Sequence, residues 1–190
     1  MLRTTAPWMY ARSPLIHRDR ARTIDLHHAI LPPTARITPD PAALLADVVE
    51  LAPGMFGLSP NDRLVHAVAH LFAGGDLAGG MRILWDVHCL VAEFGSDGLE
   101  VRARNHALEH AVARALRLAE ALYGDARRVT LVDRLYLHRV TARDGWGRPT
   151  RPVTRMAFSV RSHWLRMPPD LLVRYLSAKW LKGGGGPSSA

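Results

Sequence analysis

Cysteine is almost absent from this chain of 190 residues, because Cys89 is the only one. A single thiol excludes an internal disulfide framework and any zinc site that is built on several thiolates. No apolar run approaches the roughly 18 residues that a membrane-spanning helix needs. Residues 1–22 also lack the continuous apolar core of a secretory signal. With 48% hydrophobic residues, the sequence predicts a cytoplasmic protein that buries one hydrophobic core.

Acidic residues are scarce in the C-terminal third of the chain. Residues 127–190 hold 13 Lys and Arg against 3 Asp and Glu, whereas the whole chain has a net charge of +8. A basic block can attract phosphates, nucleic acid, an anionic membrane face or an acidic protein surface. Its arginines stand singly among apolar positions and no nucleic-acid motif accompanies them, so nucleic-acid binding is not expected. One interpretation is a partner with an acidic surface that binds residues 127–182.

Helix signals outnumber strand signals along the chain. Capping residues, proline and glycine predict helices over residues 42–51, 60–73, 80–94, 97–107, 106–123, 127–143, 153–166 and 169–182. The one good strand signal covers residues 23–29 and ends at Pro32 and Pro33. The predicted fold is therefore mainly α, a helical bundle preceded by one short strand that has lost its native sheet partners.

The predicted strand carries the first candidate site. Its alternation places Asp25 and His27 on one face, while Ile24 and Leu26 point to the other face. A carboxylate beside an imidazole can bind a cation or polarise a substrate. The alternative is an edge strand with a solvated polar face.

A second candidate site lies on the predicted helix after Ser59. His66 and His70 are four residues apart and share a polar stripe with Asp62. A zinc-protease helix would carry glutamate directly after the first histidine, but Ala67 stands there, so metal binding by this pair alone is not expected. The stripe faces either solvent or another domain.

Two charged residues on the next helix add to this second candidate site. Arg82 and Asp86 are four residues apart and can form a surface ion pair. The sharper interpretation has Asp86 reach His70 across the helix pair, where it would orient the imidazole or bind substrate. Near the C terminus, Arg161 and Arg166 flank His163 and Trp164. This segment could hold a phosphate or a membrane interface, or be an amphipathic core helix whose arginine stems cover apolar surface.

Several short motifs, in order, resemble a large group of uncharacterised bacterial nucleotidyltransferase family proteins. They are Ile24-Asp25-Leu26-His27-His28, Leu58-Ser59-Pro60-Asn61-Asp62-Arg63-Leu64-Val65-His66, Ala69-His70-Leu71-Phe72, Leu84-Trp85-Asp86-Val87-His88-Cys89-Leu90 and Arg161-Ser162-His163-Trp164-Leu165-Arg166-Met167-Pro168-Pro169. The resemblance extends from about Trp8 to Lys182. It implies transfer of a nucleoside monophosphate from an NTP to an acceptor, with Mg²⁺ as cofactor and Asp25 as the third metal carboxylate. It also implies that His66, His70, Arg82 and Asp86 bind substrate or meet the catalytic domain.

The chain departs from that family in one respect. Such proteins carry a Gly-Ser turn followed by an Asp-x-Asp pair, and no Asp-x-Asp or Glu-x-Asp occurs in residues 1–190. The resemblance therefore implies a C-terminal portion, with residues 1–37 as the remnant of an α+β nucleotidyltransferase domain, 38–182 as a helical domain and 183–190 as a flexible tail. Such a portion is expected to be inactive alone and to bind Mg²⁺ and NTP weakly. The alternative is a non-enzymatic, basic helical interaction module.

Overall fold

The structure, a computed structural model, describes residues 15–17, 19–20, 22–24, 27, 29–32, 34–73, 77, 79–125, 129–166, 168–170, 172–174 and 177. Its elements are β1 (Leu15–Ile16), β2 (Thr23–Ile24), α1 (Pro41–Ala46), β3 (Val49–Ala52), β4 (Met55–Gly57), α2 (Pro60–Ala73), α3 (Gly80–Phe94), α4 (Leu99–Asn105), α5 (Glu109–Tyr123), α6 (Leu131–Val140) and α7 (Pro152–Arg166). The predicted mainly α-helical fold is confirmed.

Helix α2 lies at the centre of the bundle, where it contacts α3, α4, α5 and α7. Its apolar positions recur every three or four residues, as an amphipathic helix requires. Leu64, Val65, Val68 and Leu71 are almost completely buried against the neighbouring helices. The core therefore surrounds most of α2, and the polar groups that α2 carries lie close to packed apolar surface.

Local capping explains why several helix bounds follow from the sequence. At the start of α2, the Ser59 hydroxyl donates to Asp62 Oδ2 at 2.9 Å. At the start of α6, Thr130 and Asp133 form a reciprocal capping box. Helix α3 has the bounds that the sequence predicts, and Gly95, with φ of 76°, ends it.

The prediction of a helix over residues 42–51 is wrong for the second half of that range. Helix α1 ends at Ala46, and an antiparallel hairpin of β3 and β4 follows. Pro53 and Gly54 form its turn, in which Gly54 adopts φ of 72°, the left-handed conformation that glycine tolerates without strain. The same Pro-Gly pair that ends a helix also suits a hairpin turn, so this local signal is ambiguous.

The structure describes only part of the segment predicted as a strand over residues 23–29. Strand β2 covers Thr23 and Ile24 and pairs antiparallel with β1. Ile24, on the apolar face of this segment, is 59% exposed. Two strands of two residues each offer too little surface to cover one another. Asp25 and Leu26 lie outside the described residues.

The segment that follows the β1–β2 pair packs into the helical core. Ile30 and Leu31 are buried among the apolar side chains of the bundle. Beyond them, the Thr34 hydroxyl donates to the Arg166 carbonyl at 2.8 Å. The Arg36 side chain donates to the Trp164 carbonyl at 2.9 Å, and its guanidinium lies 4.1 Å from the centre of the Trp164 ring. This clamp holds the end of α7 and occupies one face of the tryptophan.

Candidate functional site

Two histidines on α2 touch one another at the edge of the core. His66 and His70 are one helical turn apart, and their Nε2 atoms lie 3.2 Å from each other. The two rings meet edge to face, with centroids 4.5 Å apart. One nitrogen must donate and the other accept, so this contact requires that at least one of the two rings is neutral.

A third histidine, His27, lies near enough to influence this pair. Burial is the main cause that lowers the pKa of His66, and the charges of His70 and His27 lower it further. Burial also lowers the pKa of His70, again with a contribution from His27. Residues from two distant parts of the sequence therefore form one group, the histidine cluster of His27, His66 and His70. Both pKa shifts favour the neutral imidazoles, which can accept a proton.

The structure does not join Arg82 and Asp86 to this cluster. Both are exposed on α3, and neither takes part in an ion pair within the described part of the chain. Asp86 makes no hydrogen bond to His70, whose ring instead contacts His66. The buried side of α3 consists of Leu84 and Val87, and Asp86 therefore faces away from α2.

The third member of the predicted polar stripe, Asp62, is fully buried and belongs to a different network. Asp62 accepts two hydrogen bonds of 2.6 Å from the Arg102 guanidinium. The His106 Nε2 atom lies 3.6 Å from the same carboxylate, and the Asp40 backbone N–H donates to His106 Nδ1. The interpretation of Asp62 as part of a solvated stripe is therefore wrong. Its partner lies 40 residues along the chain, beyond the reach of a helical pattern.

The described residues do not fit Mg²⁺ by themselves. No group of three or more His, Cys, Asp and Glu side chains among them is arranged to hold a metal ion. The histidine cluster offers imidazole nitrogens, whereas Mg²⁺ prefers oxygen ligands in octahedral geometry. Asp25, the carboxylate that the family resemblance assigns to the metal, lies outside the described residues.

Removing one histidine of the pair should change the titration of the other. We expect His70→Ala to raise the pKa of His66 toward that of a solvated histidine, because the change exposes the His66 ring and removes a neighbouring positive charge. NMR titration of the histidine ring protons measures this shift. His88→Ala on α3 is the matched control and should leave the pKa of His66 unchanged. An unaltered pKa of His66 in His70→Ala would show that the two rings do not interact.

Comparison with known proteins assigns a family to the chain. Neither the curated proteins nor the solved structures contain a significant match. No helix in the described residues is long and apolar enough to cross a membrane. A family model described as an uncharacterised nucleotidyltransferase matches residues 4–124, which include β1 to α5 and all three members of the histidine cluster. The chain therefore belongs to this family of uncharacterised nucleotidyltransferases.

Proposed function

We propose that this chain is the helical part of an enzyme that transfers a nucleoside monophosphate from an NTP to an acceptor. The observation that carries the proposal is the histidine cluster, which brings His27, two residues after Asp25, to the polar side of α2. Family membership supports an NTP as the substrate. In this proposal residues 1–37 complete the catalytic domain, residues 38–182 form the helical domain and residues 183–190 are a tail.

The role we assign to the neutral histidine pair is to receive a proton from the acceptor. As an acceptor hydroxyl attacks the α-phosphorus, its oxygen forms the new P–O bond and pyrophosphate leaves with the electrons of the old one. Both Nε2 atoms are engaged in the contact between the two rings, so the hydroxyl proton moves to the unprotonated Nδ1 atom of whichever ring donates through Nε2. A base whose pKa lies near or below the working pH is free to take that proton. Burial and the charges of neighbouring histidines lower the pKa values of both rings and so favour their neutral forms.

The metal carboxylates of the reaction are not complete in this sequence, so the chain alone should not catalyse it. Residues 1–190 contain no Asp-x-Asp or Glu-x-Asp pair, and the described residues do not fit Mg²⁺. We expect calorimetry to detect no micromolar binding of Mg²⁺-ATP to the chain. Binding of that strength, lost in Asp25→Ala, would show that the metal site is more complete than we propose.

A reconstitution experiment tests the transfer function itself. The chain, joined at its N terminus to a polymerase-beta-like domain with the Gly-Ser turn and the Asp-x-Asp pair, is assayed for pyrophosphate release from each NTP. We expect activity that His66→Ala/His70→Ala lowers by about 100-fold or more, the usual contribution of general base catalysis. His88→Ala should retain it. Equal activity in both variants would contradict the role of the pair, and binding of an acidic protein without any transfer would favour the interaction module.

A further inference from the structure

A second group of charged residues surrounds Tyr136 at the junction of α5, α6 and α7. The Arg114 and Arg161 guanidinium carbons lie 4.8 and 5.5 Å from the centre of its ring. Phe72 and Phe158 meet the same ring edge to face, at centroid distances of 5.5 and 4.9 Å. Four side chains thus fix the tyrosine, and the tyrosine in turn helps to fix the two arginines.

The positive charge at this junction exceeds the negative charge that the described residues supply. Asp133 accepts hydrogen bonds from Arg117, and Arg114 Nε lies 3.4 Å from the same carboxylate. Arg161 has no carboxylate partner in the part of the chain that the structure describes, and its Nη1 atom donates to the Phe72 carbonyl at 3.2 Å. Burial lowers the pKa of Arg161, and the charge of Arg114 lowers it further. Arg114 and Arg117 therefore share the Asp133 carboxylate, and the charge of Arg161 is not balanced by a carboxylate among the described residues.

A cavity of about 160 Å³ opens directly beside these arginines. Arg114 and Arg161 supply its charged wall, and His110 adds a further nitrogen-bearing side chain. The other walls are apolar and include Leu31, Phe72, Ala111 and Leu165. An apolar cavity of about 150 Å³ can hold a molecule of the size of benzene. The shape and lining suit a small ligand with an apolar body and one anionic end.

We propose that this cavity binds a small carboxylate or phosphate ester, with its anionic group against Arg114 and Arg161 and its apolar body against Phe72 and Leu165. Guanidinium groups suit this role because they present several fixed N–H donors to carboxylate or phosphate oxygens. In addition, Arg161 donates to a backbone carbonyl and has no carboxylate partner among the described residues. A bound anion would balance its charge.

Helix α2 carries two members of the histidine cluster and also supplies part of the cavity wall. Ligand binding in the cavity does not depend on the function of the histidine cluster. Ala69 and Ala73 line the cavity, and each follows a histidine of the pair by three residues on α2. Binding to the cavity requires no NTP, no metal and no catalytic domain. A binding measurement on the chain alone therefore tests this proposal even if the chain transfers no nucleotide.

Calorimetry with three probes of similar size tests the proposal. Phenyl phosphate and benzoate carry the anionic group, and benzyl alcohol is the uncharged counterpart. We expect at least one of the two anions to bind more tightly than benzyl alcohol, and the stronger anion distinguishes a phosphate site from a carboxylate site. Failure of both anions to bind, or equal binding of benzyl alcohol, would overturn the proposal.

Two variants and one matched control locate the bound probe. Arg161→Gln should weaken binding of the preferred anion about tenfold or more, because it removes a charge-assisted hydrogen bond. Arg155→Gln, at an exposed arginine of the same helix, should leave binding unchanged. Ala111→Leu fills the cavity and should abolish binding while Arg161 is retained. Unchanged binding in both Arg161→Gln and Ala111→Leu would place the anion elsewhere and refute the site.

Discussion

Replacing Asp62 with alanine should lower the free energy of unfolding by about 3–5 kcal/mol, the usual effect of removing one partner of a buried ion pair. The Asp62 side chain is 0% exposed, and it accepts hydrogen bonds from Arg102 and from the Ser59 hydroxyl. Without it, Arg102 loses its buried partner and the start of α2 loses a contact. Urea denaturation of the variant and of the unaltered chain measures the difference.

Asp47→Ala is the matched control for this prediction. Asp47 forms an ion pair with the same guanidinium, at 3.7 Å from Arg102 Nη2, but its side chain is 62% exposed. An exposed ion pair contributes about 1 kcal/mol or less, because water screens it. The loss of unfolding free energy should therefore be several-fold larger in Asp62→Ala than in Asp47→Ala. Equal losses would show that burial does not set the strength of the Asp62 contact.

Asp133→Asn should give the second largest loss of stability, about 2–3 kcal/mol at pH 7, since it weakens charge-assisted hydrogen bonds to a buried carboxylate. Arg117 donates to both Asp133 oxygens, at 2.8 and 3.2 Å. The carboxylate also closes the capping box with Thr130 at the start of α6. The loss should be smaller than for Asp62, because the Arg117 side chain is 43% exposed and can recover water.

The same residue predicts how stability depends on acid. Hydrogen bonds from Arg117 lead the causes that lower the pKa of Asp133 from 3.8 to about 2 in the folded chain. The lowered pKa means that the unfolded chain binds the proton first, so the contribution is complete well above pH 3.8 and is lost as the pH falls from 3.8 through about 2. Denaturation across this pH range should show that the free energy of unfolding declines less steeply in Asp133→Asn than in the unaltered chain.

Asp125→Asn serves as the control for the acid-dependent measurement. Asp125 is exposed near the end of α5 and makes no ion pair within the described residues. The free energy of unfolding of Asp125→Asn should decline with falling pH as steeply as that of the unaltered chain. If Asp133→Asn declines as steeply as the control, the Asp133 carboxylate does not carry the acid-dependent stability.

The bounds of several helices could be predicted because their signals are local. A cap, a proline or a glycine acts within one turn of the chain, and the start of α2 and the whole of α3 follow from such residues. The spacing of His66 and His70 likewise determined that their rings would be close. The family resemblance was confirmed over residues 4–124, because short motifs in a fixed order are preserved in the sequence itself.

Tertiary structure decided which polar groups are buried and which of them meet. The sequence placed Asp62 with the two histidines, yet the folded chain buries it against Arg102, 40 residues away. It also brought His27 toward α2 and left Asp86 in solvent. A helical wheel determines which residues share a face but not what covers that face. That depends on how α4, α5 and α7 pack around α2, where long-range contacts outweigh local pattern.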